Sequence, residues 1–172
     1  MNIVLIGYRG TGKTTVGRLV AEQLHWPLID ADVELERRAG RTIREIFATD
    51  GETTFRDLET QVLSDLLQAE GQVLSLGGGV VLRPENREQI RAANHRVVWL
   101  QATVEAIYTR IHGDPTTAER RPALTASGGY EEIVQLLAAR EPLYSECAEF
   151  IVATAGKTAE QVAAEVVSLV MA

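Results

Sequence analysis

The sequence is poor in several things, and each shortage excludes something. It holds one cysteine, Cys147, in 172 residues. No internal disulfide can form from it and no multi-cysteine metal cluster can be built. That usage fits a reducing compartment, and a cytoplasmic location is expected. Positive charge is also short. Lys and Arg number 17 against 24 Asp and Glu, a formal net charge of -7, with a pI of about 5.0. Such a chain lacks the basic footprint of a nucleic-acid binder, so any anion site must be local. No apolar run is long enough to span a bilayer, and no cleaved leader is expected, because the N-terminus enters a strand pattern at once. The remainder is 45% hydrophobic and 24% charged, the composition of one ordinary globular domain with a proper core. A monomer without nucleic-acid or membrane partners is expected.

Short β-rich runs alternate with helical patterns. Strands are predicted at Ile3–Ile6, Pro27–Ile29, Val73–Leu76, Val97–Leu100 and Phe150–Ala153. These runs are nearly all apolar, as strands buried on both faces should be. Helical periodicity is predicted over Lys13–His25, Arg56–Ala69, 103–111, 130–146 and 158–170. Lys13–His25 has apolar residues at 16, 19, 20 and 24, a period near 3.6. The alternation argues for an α/β domain with a parallel sheet. One irregular stretch, Gly113–Gly129, mixes Gly, Pro, Thr and Ser. A loop of that length inside a compact domain is usually functional or disordered.

The residues GYRGTGKTT at 7–15 follow the first predicted strand and open the first predicted helix. Gly7, Gly12, Lys13 and Thr14 match G-x-x-x-x-G-K-[ST]. Glycines let backbone N–H groups curl around a phosphate without Cβ clashes. The lysine adds charge at the β- and γ-phosphates, and the threonine hydroxyl can ligate Mg²⁺. The following helix points its positive end at the anion. Gly10, Thr11, Gly12, Lys13, Thr14 and Thr15 are therefore candidate nucleotide-phosphate ligands. The motif alone does not separate a kinase from a GTPase or an ATP-driven switch.

Three further stretches bear on what receives the phosphate. In LIDADVELE (28–36), Asp30 and Asp32 fall at the carboxyl end of a predicted strand, the edge at which open α/β sheets bind ligands. They could hold hydrated Mg²⁺ and accept a hydroxyl proton, or one could simply cap a helix. In TTFRDLE (53–59), Arg56 and Glu59 are spaced i,i+3 and share a helix face. They could form a ligand site or an ordinary surface ion pair. In LSLGGGVV (74–81), a β-run ends in three glycines, which permits close backbone approach to a ligand or marks a tight bend.

Taken in order, GYRGTGKTT, DAD, FRDLE, LGGG, RRPAL in the long loop and REPLY at 140–144 resemble shikimate kinase, over nearly the whole chain. The resemblance implies a P-loop kinase fold, with a five-stranded parallel sheet in order 2-3-1-4-5 flanked by helices. It implies a single domain over 1–172, a shikimate-binding helical region about 32–60 and a mobile lid about 113–124. It implies transfer of the γ-phosphoryl group of ATP to the 3-hydroxyl of shikimate, with Mg²⁺. Asp30 would contact Mg²⁺ through water alongside Thr14. Asp32 would bind the shikimate hydroxyls and orient the one that attacks. Arg56 and Arg140 would grip the carboxylate, and Gly78 and Gly79 would face the ring. Arg121 would reach the ATP phosphates from the lid and Arg110 would pack on adenine. Arg120 stands beside Arg121, and Lys157 in TAGKT stands where many relatives carry an arginine or proline. A gluconate kinase would not need the FRDLE, LGGG and REPLY set, and a GTPase would usually carry N-K-x-D, which the sequence lacks.

Overall fold

The computed structural model describes residues 1–113 and 129–172. Its centre is the strand Ile3–Ile6 (β1), whose four residues are all fully buried. The other strands are Leu28–Asp30 (β2), Val73–Ser75 (β3), Arg96–Gln101 (β4) and Phe150–Ala153 (β5). All pair in parallel, in the order β2-β3-β1-β4-β5. This is the expected sheet. The second strand starts and ends one residue later than the sequence pattern predicts, which makes Asp30 its last residue.

Parallel pairing forces each connection to cross a face of the sheet, and helices make those crossings. The crossing helices are Lys13–Leu24 (α1), Ala31–Ala39 (α2), Ile43–Gln68 (α3), Pro84–Ala92 (α4), Val104–Gly113 (α5) and Gly129–Cys147 (α6), and Ala159–Val170 (α7) follows the last strand. The alternation of side chains along β1 sorts the core into two layers. Ile3 and Leu5 pack with Val16, Val20, Val162 and Val166 of α1 and α7. Val4 and Ile6 pack with Leu35, Phe55, Leu63, Ile90 and Tyr144 of α2, α3, α4 and α6.

Two helices lack an apolar period that the sequence could reveal. In α4 only Asn86 and Ile90 are buried, and in α2 only Ala31 and Leu35. The third helix begins thirteen residues before the predicted Arg56. It opens on a capping box in which the Thr42 hydroxyl accepts from Glu45 N and the Glu45 carboxylate accepts from Thr42 N. Its pattern is broken at Gly51, whose φ of 88° and ψ of 174° kink the chain in a region that glycine alone enters cheaply. Together α2 and α3 make the stretch from Ala31 to Gln68 almost wholly helical. Among the described residues no helix is long and apolar enough to cross a membrane.

Cys147 ends α6 inside the core layer built on Val4 and Ile6 and is 6% exposed. Burial, helped by Glu146, pushes its thiol up to about 11 from an ordinary 9.0. A neutral buried thiol is a poor nucleophile. The native chain should therefore resist an aromatic disulfide reagent at pH 8 and react with it at once in denaturant. An acid raised on folding stabilises fully below its unfolded value, and that stability is lost as pH climbs through the folded one. Urea midpoints for wild type against Cys147→Ala should accordingly converge between pH 9 and 11. Fast native-state reaction, or parallel midpoints across that range, would contradict the assignment.

Candidate active site

The loop between β1 and α1 leaves the carboxyl edge of the sheet and curls back on itself. Gly10 and Gly12 have φ of 80° and 89°, and Gly12 is the N-cap of α1 in the left-handed region. A side chain at either position would strain the curl. No acidic residue sits in the first turn of α1, so its positive end is uncompensated by its own helix. Lys13 is 8% exposed, and its Nζ donates to Gly7 O at 2.7 Å and Tyr8 O at 3.0 Å. The Thr11 hydroxyl donates to Tyr8 O at 2.8 Å. The ammonium is thus carried across the mouth of the loop on main-chain carbonyls.

Asp30 caps a helix, the second of the alternatives its sequence position allows, and also meets Thr14. Its Oδ1 accepts from the backbone N–H of Asp32 at 2.9 Å and of Val33 at 3.3 Å, capping α2. Its Oδ2 accepts from the Thr14 hydroxyl at 2.9 Å. Ser75 Oγ, at the end of β3, lies 3.4 Å from the same hydroxyl. Asp32 follows in the first turn of α2, half-buried on the same sheet edge.

Beside the loop is a cavity of about 170 Å³ lined by Thr11, Gly12, Thr15, Arg110, Thr154 and Lys157, among others. Arg110, from α5, donates through Nη1 to Gly10 O at 3.2 Å. Lys157 is held by Glu165 at 2.6 Å. Arg110, expected to pack on adenine, and Lys157 therefore share one cavity with the helix that opens on the phosphate loop.

A second cluster lies on the other side. Arg56 and Glu59 form a buried pair at 2.8 Å, with side chains 6% and 5% exposed, so the surface-pair alternative is wrong. Arg140, from α6, is 4% exposed. The two guanidiniums approach successive glycines. A Cβ built at Gly79 would lie 2.5 Å from Arg56 Nη2 and 2.7 Å from its Cζ, and one built at Gly78 would lie 3.5 Å from Arg140 Nη1. That same Gly78 position is 3.2 Å from Arg9 N and 3.5 Å from Gly7 O. The glycine turn after β3 thus abuts the entrance of the phosphate loop. The buried Nε atoms of both arginines make no hydrogen bond among the described residues, which suits them to an anion that the protein does not supply.

Lys13, Thr14, Thr15, Asp30, Asp32, Arg56, Gly78, Gly79, Arg110 and Arg140 are therefore gathered at one edge of the sheet. Arg120, Arg121 and the lid beyond Gly113 lie outside the described residues. Three contributors have no chemical signature of their own in the sequence. Tyr144 is fully buried, donates through Oη to Gly78 O at 2.5 Å and packs on Trp99 at 5.6 Å between ring centroids. Glu132 is 1% exposed and meets Arg9 at 3.4 Å. Burial raises the Tyr8 phenol above its ordinary value, against the lowering influence of Arg9 and Arg140. The signal for Tyr144 was its i,i+4 spacing from Arg140, which puts both on one face of α6.

A glycine-rich cradle at a helix start, on the carboxyl edge of a parallel sheet, defines a P-loop phosphotransferase, and a buried pair of arginines lies beside that cradle. Residues 9–171 match the family model for shikimate kinase. The shikimate kinase of Symbiobacterium thermophilum is 42% identical over 96% of this chain and 94% of its own. A shikimate kinase from Acinetobacter baumannii, solved in complex with shikimate, superposes with a TM-score of 0.92 at 37% identity, covering 99% of this chain and 92% of that one. The chain belongs to the shikimate kinase family. A gluconokinase from Sinorhizobium meliloti shares the fold at a TM-score of 0.60 and 19% identity, with 99% of this chain and 93% of that one covered.

The Tyr144 contact can be tested apart from activity. Tyr144→Phe withdraws a donor from a buried carbonyl, which should cost roughly 1–3 kcal/mol. The urea midpoint should fall at unchanged slope. An unchanged midpoint would show that the hydroxyl does not hold the turn.

Proposed function

We propose that this site transfers the γ-phosphoryl group of ATP to the 3-hydroxyl of shikimate, giving shikimate 3-phosphate and ADP. As a shikimate kinase the chain acts in the route to chorismate and the aromatic amino acids. The observation that carries the assignment of residues is the placement of two buried guanidiniums at Gly78 and Gly79, directly against the entrance of the phosphate loop.

Shikimate carries one carboxylate and three hydroxyls. Arg56 and Arg140 bind the carboxylate, because a planar guanidinium matches it with two parallel bonds. The ring then lies over Gly78 and Gly79, where a side chain would intrude. Asp32 accepts a hydrogen bond from the attacking hydroxyl and takes its proton as the new O–P bond forms. The bond from the γ-phosphorus to the bridging oxygen breaks, and ADP leaves with that oxygen. Lys13 turns from the carbonyls of Gly7 and Tyr8 to the β- and γ-phosphates, and the N–H groups of the loop and of the α1 start bind the rest. Thr15 and Arg110 line the nucleotide side. Such transfer depends on positioning and charge neutralisation more than on covalent chemistry.

Thr14 and Asp30 present two oxygens 2.9 Å apart beside the cradle. That sparse set suits Mg²⁺, which keeps several waters and takes its other ligands from phosphates. Bound there, it would neutralise charge on the β- and γ-phosphates.

Coupled measurement of ADP release with and without shikimate tests the reading, with a phosphorus NMR spectrum of the product. Turnover should require shikimate and a divalent cation. Lys13→Ala should lose roughly a hundred- to a thousandfold in kcat with unchanged circular dichroism. Release independent of shikimate, or phosphate on another oxygen, would overturn the assignment.

Gly79→Ala would push a methyl group into Arg56. A shift of about 1 Å in such a group can cost about a hundredfold. Shikimate KM should rise accordingly, with ATP KM nearly unchanged. An ATP defect of equal size would place Gly79 in the nucleotide half instead.

A further inference from the structure

We infer that Tyr8, the second residue of the phosphate loop, is a positioning residue for the acceptor arginine Arg140. The inference rests on the acceptor reading above. Both acceptor arginines lie against an aromatic ring, Arg56 with its Cζ 5.0 Å from the centroid of Phe55, but Arg56 has a carboxylate partner as well. Arg56 is paired through Nη1 with the buried Glu59 carboxylate. Arg140 has its Cζ 5.5 Å from the centroid of the Tyr8 ring. A cation within about 6 Å of an aromatic face is attracted by the ring quadrupole, most strongly when water is excluded. Here both partners are dry, Tyr8 at 1% and Arg140 at 4% exposure.

The ring does something that a carboxylate cannot. A carboxylate orients a guanidinium by occupying its N–H groups and neutralising its charge. A π face stabilises the cation from the side and leaves the planar fork open. Arg140 needs that freedom, because its Nη1 is the group that reaches the Gly78 turn. Tyr8 is itself fixed by packing against Ile107, Ile133 and Leu137, the last two from α6, the helix that carries Arg140. The ring thus ties the backbone of the phosphate loop to the acceptor side of the site.

The test compares Tyr8→Leu, which keeps apolar bulk without a π face, with Tyr8→Phe, which keeps the face. Shikimate and ATP affinities are read by titration, and KM and kcat by the coupled assay. Tyr8→Leu should weaken shikimate binding roughly ten- to thirtyfold, with ATP affinity moving less than about threefold. Tyr8→Phe should recover most of the loss. In an Arg140→Ala background, Tyr8→Leu should cost little more, because the partner is gone. Shikimate affinity unchanged in Tyr8→Leu would overturn the inference. So would an equal loss for ATP, or full additivity in the double variant. If Tyr8→Leu does not fold, Tyr8→Met carries the same comparison. A wild-type chain without shikimate-dependent ADP release would instead overturn the acceptor reading itself, and this inference with it.

Discussion

Three cationic side chains, Lys13, Arg56 and Arg140, are each no more than 8% exposed, and the rest of the site follows from how that charge is kept out of water. An unpaired buried cation is costly, and pairing it fully would leave nothing for a ligand. The fold resolves this separately in each case. Lys13 lies on two main-chain carbonyls, contacts that are worth little once a phosphate is near. Arg56 is held by Glu59 on its own helix. Arg140 lies over an aromatic ring. Each device orients the cation while leaving it able to bind.

This arrangement also reconciles an acidic chain with anionic substrates. The net charge of -7 is spread over solvated surface, where salt screens it within about 10 Å. The attractive charge is concentrated in a small dry region, where it is screened far less. Ion pairs such as Arg18–Glu22 and Arg37–Glu34 are exposed and contribute little by comparison.

Sheet order brings the two halves together. β1 lies between β3 and β4, so the loop after β1 and the turn after β3 leave the same edge side by side. The register Leu5↔Ser75 puts Gly7 and Gly78 within reach of each other, and Tyr144 secures the turn from below. A phosphoryl donor and its acceptor can then meet without either half having to move far.

Much of this was legible in the amino-acid sequence. The buried strands announced themselves as apolar runs, and the phosphate loop as a spacing of glycines, lysine and threonine whose backbone needs are local. Arg56, Glu59, Gly78, Gly79 and Arg140 could be named as candidates by their motifs. Their meaning could not be settled there, because burial belongs to the fold. Arg56 and Glu59 have the same i,i+3 spacing whether they face water or the core. Asp30 proved to be both a helix cap and a partner of Thr14, since a carboxylate has two oxygens and only the tertiary structure shows where each points. The helices Ala31–Ala39 and Pro84–Ala92 bury too few apolar residues to betray a period. Gly51 broke the third helix's pattern without ending the helix. Tyr8 and Tyr144 are ordinary core aromatics in one dimension. They acquire a function only because strand order and helix packing bring a ring beneath one guanidinium and a hydroxyl beneath one carbonyl, contacts between residues far apart in the chain.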